Sequence, residues 1–331
     1  VLDRRRHPFY RHSEGDFFVV EEGGKRLGQI AVLANRRYND FHATKTAFFY
    51  YFDTVDDGEV ARLLLDAAAD WARAHGMDTL LGPKGFMRTD SVGILIDGFE
   101  HRAAPGASYN YPYYRRLLEA CGFEKEVDYF SGYLSGDYDL PQRFYEVAEK
   151  VKERSGFWIK SFKSKAELRA WVPHIQRVNN EAFVTVWGYC PMDDVEIQMA
   201  SKQLMTIGDP HLIKLVMKDE EVAGFIFVFP DVSAALQKTR GRLFPFGWIT
   251  LLRALKDTRR IMVNGVGLRP EYQGLGANAV LYTELMHTLK GCHVEACDVA
   301  YVAETNLKSM ADMAALGVQW YKHYRVYRKA L

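Results

Sequence analysis

One stretch restricts this chain to few folds: an apolar run, a turn with two close glycines, and a segment of helical periodicity, all between residues 261 and 291. Residues 261–268 (IMVNGVGL) favour a strand, and Arg269 and Pro270 turn the chain. A loop, Gln273-Gly274-Leu275-Gly276-Ala277-Asn278, then leads to Val280, Leu281, Leu285 and Leu289, which recur at helical spacing. Glycine lets the backbone approach a ligand closely, and the first turn of a helix leaves N–H groups unpaired. Those donors and the positive end of the helix dipole favour an anion such as a pyrophosphate. An ordinary tight strand-to-helix turn has the same outline, so other features must decide. No Gly-Lys-Ser/Thr follows, which excludes a P-loop. The dinucleotide fingerprint fails too, because Ala279 stands where its third glycine belongs.

The chain is long for one domain, at 331 residues, so two are expected, with 48% hydrophobic and 14% aromatic residues to build their cores. A formal net charge of +1 without long single-sign runs argues against a nucleic-acid partner. No apolar stretch approaches the roughly 20 residues that span a bilayer, so no membrane is expected. The cysteines, Cys121, Cys190, Cys292 and Cys297, form no C-x-x-C pair, and the histidines lack zincin spacing. The plain expectation is a reduced, cytoplasmic protein without a metal.

Read in order, the chain offers the same unit twice. Residues 1–15 form a polar, basic arm. Apolar runs at 17–21 and 27–33 flank a Gly23-Gly24 turn and predict a hairpin. A strand over 45–52 and a helix over 56–75 follow, the helix capped by Asp56 or Asp57 and ended by Gly76. A strand at 79–81, a helix at 113–121 and a strand at 127–134 complete the first unit. The second runs through strands at 213–217, 222–229 and 261–268, a helix, a strand at 294–302, a helix at 306–316 and a strand over 324–328. Residues 137–155 link the two, and 165–207 supply leading helices that the first unit lacks. If the duplication is real, either a leading segment lies upstream of Val1 or the first copy is truncated. The order implies a mixed α/β fold in two domains, 1–136 and 137–331. Asp56, Asp57 and Glu59 stand where the first unit's helix begins, and carboxylates there repel a pyrophosphate. The phosphate device is expected in the second unit alone.

Gln273-x-x-Gly276-x-Asn278 resembles the coenzyme A loop, R/Q-x-x-G-x-G/A, of the GCN5-related N-acetyltransferase (GNAT) superfamily, with Asn278 in place of the final Gly or Ala. Across nearly the whole chain the resemblance extends to bacterial tandem-GNAT proteins. It is carried by Arg36-Arg37-Tyr38-Asn39, Leu81-Gly82-Pro83, Tyr109-Asn110-Tyr111-Pro112-Tyr113-Tyr114, the 241–247 segment GRLFPFG and the 321–327 segment YKHYRVY. The resemblance implies two tandem GNAT-like domains, the first degenerate and the second binding acetyl-coenzyme A or another acyl-coenzyme A. It implies that Gln273, Gly274, Leu275, Gly276, Ala277 and Asn278 hold the pyrophosphate. Backbone groups of Val266, Gly267 and Leu268 would pair with the pantetheine amides, and Asn306, also a natural helix N-cap, would contact the same arm.

Met313 occupies the place where the family carries a tyrosine that protonates the leaving thiolate, and a thioether cannot. Tyr321, Tyr324 and Tyr327 follow nearby, and Tyr321 is the candidate acid. Asp298 and Glu304, in and after the strand at 294–302, are the carboxylates that could take a proton from an amine. Trp187, Tyr189 and Asp194, on the connection between the leading helices, are candidates for the acceptor pocket. The expected activity is transfer of an acyl group, acetyl first, to a small-molecule amine, a peptide N-terminus or a lysine; a homodimer is compatible with it. Met313 and Asn278 keep open a coenzyme A-binding sensor or regulator. A tRNA-dependent aminoacyl transferase is a third reading, disfavoured by the near-neutral charge. Residues 229–260 exceed what a hairpin turn needs and predict two basic helical pieces, 232–238 and 246–256, packed on the domain body.

Overall fold

A computed structural model describes the backbone of residues 1–331 and the side chains of residues 1–202 and 205–331. In the first half, the hairpin β1 (Glu14–Glu22) and β2 (Lys25–Ala34) is followed by α1 (Arg36–His42), β3 (Thr46–Thr54), α2 (Gly58–Ala74), β4 (Thr79–Gly82), β5 (Ile94–Asp97), α3 (Tyr113–Ala120) and β6 (Glu124–Ser135). The second half runs α4 (Gln142–Ser155), β7 (Phe157–Ser161), α5 (Lys165–Ala182), α6 (Asp194–Ile207), β8 (Ile213–Lys218) and β9 (Glu221–Pro230). It continues with α7 (Ser233–Thr239), α8 (Gly247–Asp257), β10 (Arg260–Leu268), α9 (Ala277–Leu289), β11 (Ala296–Ala303), α10 (Leu307–Ala315) and β12 (Gln319–Ala330).

The halves share one mixed sheet, ordered β1-β2-β3-β4-β12-β6-β11-β10-β9-β8-β7, with β5 on β12. Their final strands are exchanged. β12 pairs with β4 of the first half, while β6 pairs with β11 of the second. Tyr324, Val326 and Tyr327 of β12 are consequently buried in the first half's core. The repeated unit is visible in the parallel pairs β3/β4 and β10/β11, each joined through a helix, α2 or α9.

Four elements, α1, β5, α4 and β7, have no counterpart in the sequence reading: α4 lies in the stretch read as a link, the other three are short, and α1 is announced mainly by its Asn35 cap, which accepts from Tyr38 N at 3.1 Å. The 1–15 arm is more than a solvated terminus, because Phe9 is completely buried against Phe86, rings 4.9 Å apart. The tyrosine cluster divides: Tyr114 is buried with its hydroxyl at Asp53, whereas Tyr109 and Tyr111 are exposed. The insertion between β9 and β10 folds as two helices. Val232, Ser233 and Ala235 anchor the first, but α8 buries no residue, so the expected packing on the domain body fails for it.

Candidate active site

β10 and β11 run parallel only from Arg260/Ala296 to Val263/Val299. Beyond that point Gly265–Leu268 stays with β9 and Val302 with β6, so the two strands part. Register shifts between Val263 and Gly265, and between Val299 and Val302, produce the parting. Tyr301 lies in the second of these with φ +42°, a conformation that costs a non-glycine residue about 1 kcal/mol. The wedge leaves strand-edge backbone groups free to pair with an inserted amide-bearing chain.

A cavity of about 1450 Å³ occupies the wedge. It exceeds the roughly 300–1,000 Å³ of an ordinary small-molecule pocket. One end is the glycine loop, where Gln273, Gly274, Gly276 and Asn278 line it. α9 begins there with Gly276 at φ +81° and no side-chain cap. A Cβ on Gly276 would press on Val151 Cγ2 at 2.8 Å, so this glycine also lets α4 pack closely, whereas Gly274 has open space around it. The corresponding turn of the first half is closed: Asp57 accepts from Glu59 N at 2.8 Å and Val60 N at 3.2 Å. A carboxylate fills there the position that stays uncapped in the second half.

Other polar groups fix the loop. Lys308 Nζ donates to Gln273 Oε1 at 2.7 Å, and Gln273 Nε2 to Leu268 O at 3.1 Å. Asn278 Nδ2 donates to Asp312 Oδ2 at 2.8 Å, so its amide braces α9 against α10. Burial pushes the pKa of the Asp312 carboxyl up, opposed by the Asn278 amide and the Tyr282 hydroxyl beside it. Asn306 serves as N-cap of α10, accepting from Ser309 N at 3.2 Å, and lines the cavity. Leu275 is exposed and Ala277 buried; neither reaches the cavity. Val266, Gly267 and Leu268 form one wall of the wedge and Met313 lies on its lining.

The three predicted catalytic side chains lie off this lining. Asp298 points to the face of β11 opposite Cys297 and Val299, where it is 4% exposed and held by Lys322 Nζ at 3.1 Å and by the Tyr321 hydroxyl. Burial lowers the Lys322 pKa, although Asp298 opposes the shift. Glu304 takes Lys125 Nζ at 2.8 Å and the backbone N–H of Asp128 at 3.0 Å. Of the predicted acceptor residues only Trp187 lines the cavity. Tyr189 donates to Asn180 O at 3.2 Å, and Asp194 is exposed on the first turn of α6. Among the described residues one histidine–carboxylate cluster has metal-like spacing, His12, Asp193 and Glu196, and the Arg37 guanidinium already sits on both carboxylates.

Two features escape sequence reasoning. Tyr301 lies where the wedge opens, and its phenolic oxygen accepts the Ser108 N–H at 2.6 Å, which leaves its own hydrogen free to donate. Burial pushes its pKa up to about 12. Only the strained turn of β11 aims it there, and the sequence shows an unremarked tyrosine in a strand. The second is an apolar arm of the cavity running beneath α9, lined by Leu285, Met286, Leu289, Val294, Cys297 and Leu316. In sequence these residues are indistinguishable from core.

Residues 172–318 match the acetyltransferase (GNAT) family. The second half of the chain carries a GNAT domain. Over its whole length the chain is 26% identical to "Bacterial ceramide synthase" of Caulobacter vibrioides, spanning 88% of that protein. It is 24% identical to "Protein YghO" of Escherichia coli K12, with 98% of this chain and 85% of the other aligned. Its fold is similar to a tandem GNAT protein from the clavulanic acid biosynthesis pathway, with TM-score 0.54 and 14% identity over 96% of this chain and 83% of that one. The architecture is therefore that of a tandem GNAT fold.

Proposed function

We propose that this chain transfers a long-chain acyl group from an acyl-coenzyme A to the primary amine of an amphiphilic acceptor. The arm beneath α9 carries the reading. α9 has 13 residues, which makes it about 20 Å long, and the cavity follows it from Asn278 to Leu289 and on to Val294. An acetyl group would leave most of that arm empty, and an empty apolar cavity of this size is destabilising. A fatty chain would fill it, gaining about 0.8 kcal/mol per buried methylene. The relative named as a ceramide synthase agrees, since a ceramide is the amide of a fatty acid and a long-chain amino alcohol.

The residues divide the work. The bare first turn of α9 and the glycine loop receive the pyrophosphate, and the strand edges of the wedge align the pantetheine. The acceptor amine approaches from the side lined by Tyr129, Trp187 and Tyr301. The neutral amine attacks the thioester carbonyl, so that the C–N bond forms as the C–S bond breaks; Tyr301 protonates the departing thiolate, and the proton released by the amine nitrogen restores the phenol. Asp298, with Lys322 and Tyr321, holds β11 from behind.

Titrating the purified chain with palmitoyl- and acetyl-coenzyme A tests the reading. Gly274→Asp places a like charge at the pyrophosphate where a side chain has room, and should weaken binding about 100-fold or more. Tight binding that survives this change would refute the placement. Leu285→Trp should obstruct the arm: affinity for long donors drops about fourfold for each methylene shut out, while acetyl-coenzyme A still binds. An unaltered preference would rule out the arm as the acyl site.

A further inference from the structure

The insertion between β9 and β10 presents an unusual surface. Leu243, Phe244, Phe246, Trp248 and Leu252 are all exposed, Phe244 by 88% and Phe246 by 72%. Apolar side chains in water are ordinary when scattered, but five within ten residues form a patch that calls for a partner. The same segment concentrates charge. Residues 238–257 hold Lys238, Arg240, Arg242, Arg253 and Lys256 against a single carboxylate, Asp257. The remainder of a chain of net charge +1 is thus net acidic, at −3. Among the described residues none of these five cations takes part in an ion pair.

Aromatic tips flanked by unpaired Lys and Arg match the interfacial zone of a bilayer. Phe and Trp insert at headgroup depth while cations meet lipid phosphates. A second copy of this chain is a poorer fit, because apposing two such patches sets like charges together. We propose that residues 240–256 dock the protein on an anionic membrane surface, with Phe244, Phe246 and Trp248 seated among the headgroups and Arg240, Arg242, Arg253 and Lys256 against their phosphates. The placement connects the surface to the cavity. Arg259 O accepts the Glu295 N–H at 2.7 Å, so the insertion springs from the end of the sheet where β10 and β11 begin. Cys292 and Val294, at that same end, line the far reach of the apolar arm. A chain leaving the arm there emerges beside the docking segment. The proposal stands on this surface alone and does not require the acyl-transfer reading.

Vesicle sedimentation of the full chain tests it, with phosphatidylcholine vesicles made with and without phosphatidylglycerol. Binding should require the anionic lipid and fall as salt is raised, and Trp248 emission should shift to the blue on binding. The Phe244→Ser/Phe246→Ser variant should lower the partition coefficient by about tenfold per aromatic withdrawn from the interface. Arg240→Glu/Arg242→Glu should abolish the preference for phosphatidylglycerol. All four positions are exposed, so unchanged melting temperatures will show that both variants fold. Wild-type protein that stays in the supernatant would overturn the proposal, as would binding equal on both vesicles or insensitive to both variants. A dimer that the Phe variant splits into monomers, without vesicle binding, would assign the face to a second copy instead.

Discussion

Tyr301→Phe is expected to lower kcat for acyl transfer by about 100-fold, within the range of a lost general acid. The affinity for acyl-coenzyme A should scarcely move, because the phenol meets the leaving sulfur and not the bound ground state. The physical case is the position of one hydrogen. The Ser108 N–H donates to the phenolic oxygen at 2.6 Å, which fixes the ring and leaves the phenol's own hydrogen free to donate. With a pKa near 12 the group stays protonated throughout the neutral range, so the wild-type rate should show no titration from it there. Met313 faces the same cavity and cannot donate, so a proton must come from elsewhere. Removing the hydroxyl leaves Ser108 N–H without its acceptor, a loss of about 1 kcal/mol in stability that the fold can bear. Steady-state kinetics of the variant decide the matter. An unchanged kcat would remove Tyr301 from the chemistry and leave the thiolate to depart unaided.

Arg325→Met should destabilise the fold by about 3 kcal/mol, since it strands a buried carboxylate. Arg325 grips Asp128 with two hydrogen bonds, of 2.8 and 2.9 Å, and Asp128 is 5% exposed. Lys125 and His323 approach the same carboxylate at 2.9 Å each, and Glu304 brackets its backbone, accepting the N–H and donating to the carbonyl. This node joins β6, β12 and the end of β11, the strands through which the halves interlock. Burial alone would raise the Asp128 pKa, but Arg325, Lys125 and His323 outweigh it and hold the carboxyl well below the usual range. A folded-state pKa below the unfolded value contributes stability that is present above about pH 4 and lost as pH falls further. Denaturant melts of wild type and variant should therefore differ most near neutrality and converge in acid. A constant gap across that range would show that the loss is packing and not charge.

Local chemistry made part of this protein legible. The period of apolar residues, Asp57 before one helix and Gly274 and Gly276 before another, fix where the strands and helices lie and which helix N-terminus is open, because caps, turns and periodicity are set by near neighbours. They also mark the wedge walls, since residues 261–268 and Asn306 are tied in sequence to the loop and helices beside them. What the sequence could not fix are facts of pairing and direction. Asp298, Tyr321 and Glu304 carry the right groups for acid–base chemistry, yet alternation along β11 and the exchange of β12 and β6 commit Asp298 and Tyr321 to a buried cluster with Lys322, and Glu304 to a partly exposed pair with Lys125. Leu285, Met286 and Leu289 read as core until the parting of β10 from β11 leaves them bordering a cavity. Tyr301 owes its place on the cavity lining to one positive φ angle. The net charge near zero hides the basic run of residues 238–256, because a sum has no position; that run is contiguous in sequence, and what folding decided is that Leu243, Phe244, Phe246, Trp248 and Leu252 within it stay exposed. Sequence thus determined the elements and the uncapped helix N-terminus, while the crossing of two distant strands decided which side chains line the cavity.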